Sequence, residues 1–211
     1  MAYYPMYEPT GKNVVKVVGR YLDKWKYFYP DYQEMIPIHI PEELGDYVVI
    51  KAYVDANHAG NMANRRSYSG IIIYVNNVPI IWYSKRHNAV EASSFGSEFV
   101  ALRVSTEVIE ALRYKLRCFG ITLEGPAEVF CDNMSVVKNL SIPTSVLNKR
   151  HNAIYYHSVM EAHAVGILQV GWIPGEFNLA DLFTKTTMSG NTRHNLVDSI
   201  FSNTASLIGD I

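Results

Sequence analysis

Cysteine is scarce in this sequence: only Cys118 and Cys131 occur in 211 residues. That excludes a disulfide framework and a cysteine-built zinc site, and it makes a reducing, intracellular setting the expectation. No apolar run approaches the roughly 20 residues needed to span a bilayer. A basic stretch followed by an apolar core is missing from the N-terminus, so no secretory signal is expected. Charge of one sign is missing too, since 19 Lys and Arg face 20 Asp and Glu for a formal net charge of −1. The chain therefore lacks the basic excess that marks many nucleic-acid binders. Nor is it poor in apolar residues: 48% are hydrophobic and 18% charged, which excludes an intrinsically disordered chain. The length fits one large domain, or one domain with tails, that can bury a proper core.

The first 45 residues read differently from the rest. Seven tyrosines fall in them, and Pro30, Pro37 and Pro41 break the second half. The spacing of Val14, Val17, Val18, Tyr21 and Trp25 predicts a helix over Asn13–Phe28. The prolines predict an extended linker over Pro30–Gly45. Residues 1–45 are thus expected to be an extension or connection segment, either tethering the domain or packed on it. From Asp46 the pattern is regular. Val48–Asp55, Gly70–Val75 and Pro79–Ser84 read as strands, the last two joined at Asn76-Asn77. A long helix is predicted over Ala92–Phe119, capped by Ser93 or Ser94 and ended by Gly120. A strand over Ala127–Cys131, a short helix from Asn133, a helix over Lys149–Val165, a strand over Ile167–Ile173 and a helix near Asn178 follow. Hairpins first and crossovers later predict a mixed sheet with helices packed on it.

Four acids fall in unusual places. Asp55 ends the first predicted strand, Glu98 lies one turn inside the long helix, Asp132 ends the fourth strand, and Asp181 opens the last helix. Each is flanked by apolar or small residues and not by a run of charge. Strand-end acids at the switch to a helix point to the crevice where α/β sheets place their sites. Four carboxylates converging there would repel one another unless cations lay between them, and hard oxygen donors favour Mg²⁺ or Mn²⁺. On spacing alone, helix capping and turn formation explain Asp132 and Asp181 equally well.

The residues around these acids are more specific. Tyr53-Val54-Asp55-Ala56-Asn57, Arg65-Arg66-Ser67-Tyr68-Ser69-Gly70 and Ile81-Trp82-Tyr83-Ser84-Lys85-Arg86 come first, followed by Ser93-Ser94 with Ser97-Glu98-Phe99. Cys131-Asp132-Asn133 and Ala180-Asp181-Leu182-Phe183-Thr184-Lys185 complete the series. In this order they resemble the ribonuclease H domain that follows reverse transcriptase in copia-type (Pseudoviridae-like) retrotransposon polyproteins. The resemblance covers about residues 46–188, leaving 189–211 as a C-terminal tail, expected to be helical in part.

That resemblance implies a ribonuclease H-like α/β fold, a five-stranded mixed sheet with helices on both faces. It implies a catalytic, metal-binding set of Asp55, Glu98, Asp132 and Asp181 holding two Mg²⁺ ions, with Mn²⁺ as a substitute. The implied reaction is hydrolysis of the RNA strand of an RNA–DNA hybrid, giving 5′-phosphate and 3′-hydroxyl ends. Asn57, Asn133 and Ser135 beside the acids, and Lys85 and Arg86, are candidate substrate contacts, with ordinary loop and surface roles as the alternative. The reverse transcriptase portion of the same polyprotein is a candidate partner, and the site of action is a cytoplasmic virus-like particle or the nucleus. No Tyr-x-Asp-Asp polymerase site is present. Cellular members carry a His in the loop before the last acid, whereas this loop reads Trp172-Ile173-Pro174-Gly175-Glu176-Phe177-Asn178. Glu176 is a candidate outer ligand or proton acceptor in its place. An integrase would show its Glu last, which disfavours that relative. A non-catalytic nucleic-acid-binding or scaffold module derived from a transposon is the remaining alternative. His151, His157 and His163 miss the i, i+4 spacing of a helical zinc pair and read as surface or core histidines.

Overall fold

The computed structural model describes residues 27–59, 65–91, 93–140 and 153–208. Most of the helix expected over Asn13–Phe28 and the start of the one expected from Lys149 lie outside the described residues. Five strands form one sheet: β1 (Ile50–Asn57), β2 (Tyr68–Val75), β3 (Val78–Arg86), β4 (Ala127–Cys131) and β5 (Leu168–Trp172). Their spatial order is β3-β2-β1-β4-β5, with β1, β2 and β3 antiparallel and β4 and β5 parallel to β1. This is the five-stranded mixed sheet that the motif resemblance implies. Asn76 takes up the left-handed turn conformation at φ 54°. Its side chain accepts a hydrogen bond from the Val49 amide at 2.9 Å, which ties the hairpin to the start of β1.

The first strand runs two residues further than the sequence pattern suggests. Val48 makes only an isolated parallel bridge to Leu123, while the ladder with β2 continues to Asn57 opposite Tyr68. Asp55 therefore stands inside the strand, opposite Gly70, and not at its end.

Helices cover both faces. On one face α1 (Ser94–Cys118), α2 (Met134–Leu140) and α3 (Ala153–Ala164) bury Phe99, Leu102, Ile109, Val136, Val137, Tyr156 and Met160 against Ala52, Val54, Ile71 and Val129. On the other face α4 (Asp181–Thr184) and α5 (Gly190–Ile208) cover Tyr53, Ile72, Tyr74 and Phe130, with Leu196 and Ile200 of α5 buried there. Strict alternation along β1 thus sends Val54 and Ala56 toward α1 and Tyr53 and Asp55 toward α4.

Ser93 caps α1 by accepting the Gly96 amide at 3.2 Å, and Gly120 at φ +74° ends it. The described residues before β1 include contacts to α1. Glu34 accepts hydrogen bonds from both Arg113 and Arg117, and the Tyr32 hydroxyl donates to Glu110. Tyr29 pairs with His157 of α3 at 3.1 Å. At Gly120 a Cβ would stand 2.5 Å from the Glu42 carbonyl oxygen, so a side chain there would push the segment away. Among the described residues no helix is long and apolar enough to cross a membrane.

Candidate metal centre

The site is built where the parallel core of the sheet meets α1 and α4. Gly70, opposite Asp55, is what lets α4 approach: a Cβ there would lie 2.6 Å from the Ala180 carbonyl oxygen and 2.8 Å from the Thr184 methyl. With that space open, α4 settles on β2 and brings Asp181 beside Asp55. The Thr184 hydroxyl donates to Asp55 Oδ2, and Asn178 donates to the Val54 carbonyl at 3.0 Å, tying the entry of α4 to β1. Asp132 follows β4 directly, and β4 is the parallel neighbour of β1. Its carbonyl accepts the Trp172 indole N–H at 2.8 Å. Glu98 reaches in from the first turns of α1 and accepts a hydrogen bond from the Ala56 backbone.

The four acids come together in two overlapping groups that share Asp132. Asp55, Asp132 and Asp181 offer oxygens that lie within 4.8 Å of one another, and so do donor atoms of Glu98, Cys131 and Asp132. Asp55, Glu98 and Asp181 are buried and Asp132 is half-buried. Burial and the neighbouring Asp55 and Asp132 charges push Glu98 well above the usual carboxylate range. Asp132 is raised by burial and by Asp55. Asp181 is pushed up to about 6 by burial and the Asp55 charge, against the lowering effect of its hydrogen bond from Lys185.

These residues fit a hard divalent cation. The donors are carboxylate oxygens from four different elements, and Asp181 Oδ1 is buried with no hydrogen-bond partner. Cys131 fits less well. Its thiol is fully buried, held in the protonated form by burial and by Glu98, and lies 4.0 Å from Glu98 Oε2 as a donor.

The other sequence-predicted residues are differently placed. Asn57 uses its amide within the fold, donating to the Thr184 carbonyl and accepting from the Tyr68 amide, each at 2.8 Å. Asn133 accepts from the Ser135 and Val136 amides at 3.1 and 3.3 Å, capping α2, and Ser135 itself is exposed. Lys85 and Arg86 are exposed at the end of β3, opposite Ser69 and Tyr68, so they share the end of the sheet where Asn57 lies. Glu176 is exposed in a 3₁₀ turn, Gly175–Phe177, directly after Gly175. Sequence reasoning gave no role to Gly70, Trp172, Gly175, Thr184 or Lys185. The spacing of Asp181 and Lys185, i and i+4, was the one signal available for that pair.

No protein-family model matches the chain. It is 30% identical over 165 residues, 78% of its length, to the retrovirus-related Pol polyprotein from transposon RE1 of Arabidopsis thaliana. Identity is 29% over 141 residues with the corresponding polyprotein from transposon RE2 of the same plant, and 27% over 141 residues with that from transposon TNT 1-94 of Nicotiana tabacum. The chain spans about a tenth of the length of these relatives. Among solved structures, the N-terminal RNase H domain of a Mycobacterium tuberculosis protein aligns with a TM-score of 0.48 at 15% identity, covering 72% of this chain and 98% of that one. LC11-RNase H1 in complex with an RNA/DNA hybrid aligns with a TM-score of 0.47 at 21% identity, covering 64% of this chain and 93% of that one.

Proposed function

From the chain's homology to a segment of the Pol polyproteins of copia-type retrotransposons, we propose that it is an RNase H-like nuclease that hydrolyses the RNA strand of RNA–DNA hybrids during reverse transcription. The observation that carries the reading is the convergence of Asp55, Glu98, Asp132 and Asp181, with three of them presenting oxygens within 4.8 Å of one another. Asp55, Glu98, Asp132 and Asp181 would hold two divalent ions, Mg²⁺ or Mn²⁺, and these would supply an activated water and charge compensation for a 3′-oxygen leaving group, the chemistry of a reaction that yields a 5′-phosphate and a 3′-hydroxyl.

The chain's own residues do the positioning. Asp132 belongs to both donor groups, so it is the residue that links the two halves of the site. Asp55 faces Asp132 and Asp181 from β1, with Thr184 holding one of its oxygens. Glu98, buried and held by the Ala56 backbone, presents its carboxyl to a 2′-hydroxyl as donor or acceptor, the group that distinguishes RNA from DNA. The exposed Lys85 and Arg86 at the end of β3 are the candidate contacts for phosphates of the duplex. The reverse transcriptase portion of the same polyprotein is the natural source of hybrid. The setting is intracellular, in a virus-like particle or the nucleus.

The test is a strand-labelled RNA–DNA hybrid incubated with the protein and Mg²⁺ or Mn²⁺. Cleavage confined to the RNA strand and abolished by Asp132→Asn is the expected result. Cutting of duplex DNA, or undiminished activity in that variant, would overturn the reading, and binding of hybrid without cleavage would favour a non-catalytic module.

A further inference from the structure

Lys185 brings a cation into direct contact with an acid of the site. Its ammonium donates to Asp181 Oδ2 across an i, i+4 interval. The charges of Asp55 and Asp132 act on the same ammonium. One positive charge therefore stands against the three carboxylates whose oxygens lie within 4.8 Å of one another. The Lys185 side chain is 45% exposed and that of Asp181 only 6%. The backbone at this point is fixed, since the Lys185 amide donates to the Asp181 carbonyl at 2.9 Å. The flexible four-carbon stem, by contrast, can carry its head into water without unpacking anything.

We propose that Lys185 is a built-in counter-ion of the cation site, holding the carboxylate trio together when no divalent ion is bound and leaving Asp181 when one binds. The inference rests on reading the trio as a divalent-cation site and adds how that site is regulated. Three carboxylates this close repel one another, and in a half-buried setting the repulsion is poorly screened. A single ammonium offsets part of it. A divalent ion must compete with that ammonium for Asp181 Oδ2, so the site binds cations more weakly than the same acids would alone. The carboxylates stay ordered in the meantime, ready for an ion without a separate folding step.

Isothermal titration of the full chain with MgCl₂ and with MnCl₂, paired with melting in EDTA and in saturating Mg²⁺, tests the inference. Wild type is compared with Lys185→Met, Lys185→Arg and Asp132→Asn. Lys185→Met should bind Mg²⁺ roughly tenfold more tightly, melt lower in EDTA, and match wild type once Mg²⁺ saturates the site. Lys185→Arg should stay near wild type in all three readouts, because the charge is kept. Equal or weaker Mg²⁺ binding by Lys185→Met overturns the inference while leaving the cation site intact. An equal drop in melting temperature with and without Mg²⁺ also overturns it, since an ordinary structural ion pair behaves that way. If neither wild type nor Lys185→Met shows saturable binding of either ion, the cation-site reading itself fails.

Discussion

Gly175 lies against Asp132 so closely that a Cβ built on it would stand 3.1 Å from Asp132 Oδ2. The loop after β5 therefore forms a wall of the site, and the Trp172 indole bond to the Asp132 carbonyl holds that wall in register. Gly175→Ala forces the carboxylate to move by a few tenths of an ångström. Because Asp132 is shared by both donor groups, that shift should reduce hybrid cleavage by about 10- to 100-fold, as misplacement of a positioned group does. The melting temperature should change little, because Asp132 is half-buried and has room to give. A variant with wild-type turnover would show that Gly175 does not constrain Asp132.

Gly70 makes a stiffer demand. The atom its Cβ would strike at 2.6 Å is the Ala180 carbonyl oxygen, part of the backbone, and it cannot turn aside as a side chain can. Gly70→Ala should lower stability by about 1–3 kcal/mol, the range for overpacking. It should also lift α4, and Asp181 with it, away from Asp55. Loss of Mg²⁺ affinity at temperatures well below the melting transition separates this from simple unfolding. A folded Gly70→Ala protein with intact Mg²⁺ affinity would contradict the account.

Much of this architecture is legible in the sequence because it rests on local periodicity. Alternation marks Ile50, Ala52 and Val54, the 3.6 period marks Phe99, Leu102 and Ile109, and Asn76-Asn77 marks the hairpin. The four acids stand out in the sequence through the words around them, although Asp55 lies inside β1 and not at its end. Their convergence is not legible there, because it depends on a clearance between Gly70 and Ala180, residues far apart in the chain. The span of β1 lies two residues beyond the alternation at both ends: Val48 and Ile50 alternate identically and only pairing distinguishes a ladder from a single bridge, while Asn57 joins the ladder opposite Tyr68. Asn57 and Asn133 illustrate the same limit: proximity to an acid in sequence says nothing about whether an amide is engaged by the fold.

The raised carboxylates make stability depend on pH in a direction opposite to ordinary acid denaturation. Asp181 is pushed up to about 6, above its usual value near 3.9, and Glu98 and Asp132 are also raised. The folded state therefore holds protons there more tightly than the unfolded chain. The resulting stabilisation is complete below about pH 4 and is lost as pH rises through 6. In EDTA, the melting temperature should fall across that window through this contribution. Saturating Mg²⁺ at pH 7.5 should restore it, because the ion takes the place of the protons. Comparing melting curves of wild type and Asp181→Asn isolates the effect: the variant should show a flatter pH slope in EDTA. An identical slope would remove Asp181 as its source.

Glu34 carries the opposite sign. Burial alone would raise its carboxyl, but the Arg113 and Arg117 guanidiniums outweigh that and hold it below the ordinary range. Its contribution is present above its unfolded value and is lost as pH falls through the depressed folded one. Arg113 is nearly buried, and its remaining contact is the Gly125 carbonyl at 2.8 Å, so removing Glu34 strands a buried charge. Glu34→Ala should cost about 3 kcal/mol, near the lower end of the range for breaking a buried pair from one side. Urea melts at pH 7 measure this directly. As pH falls through the depressed folded value of Glu34, the difference between the two proteins should shrink. The stretch around Glu34 is held to α1 by this contact, whereas the acids of the site are held by α4 and the β5 loop. Hybrid cleavage per folded molecule should therefore survive Glu34→Ala, and a parallel loss of activity would mean that the segment reaches the site through α1.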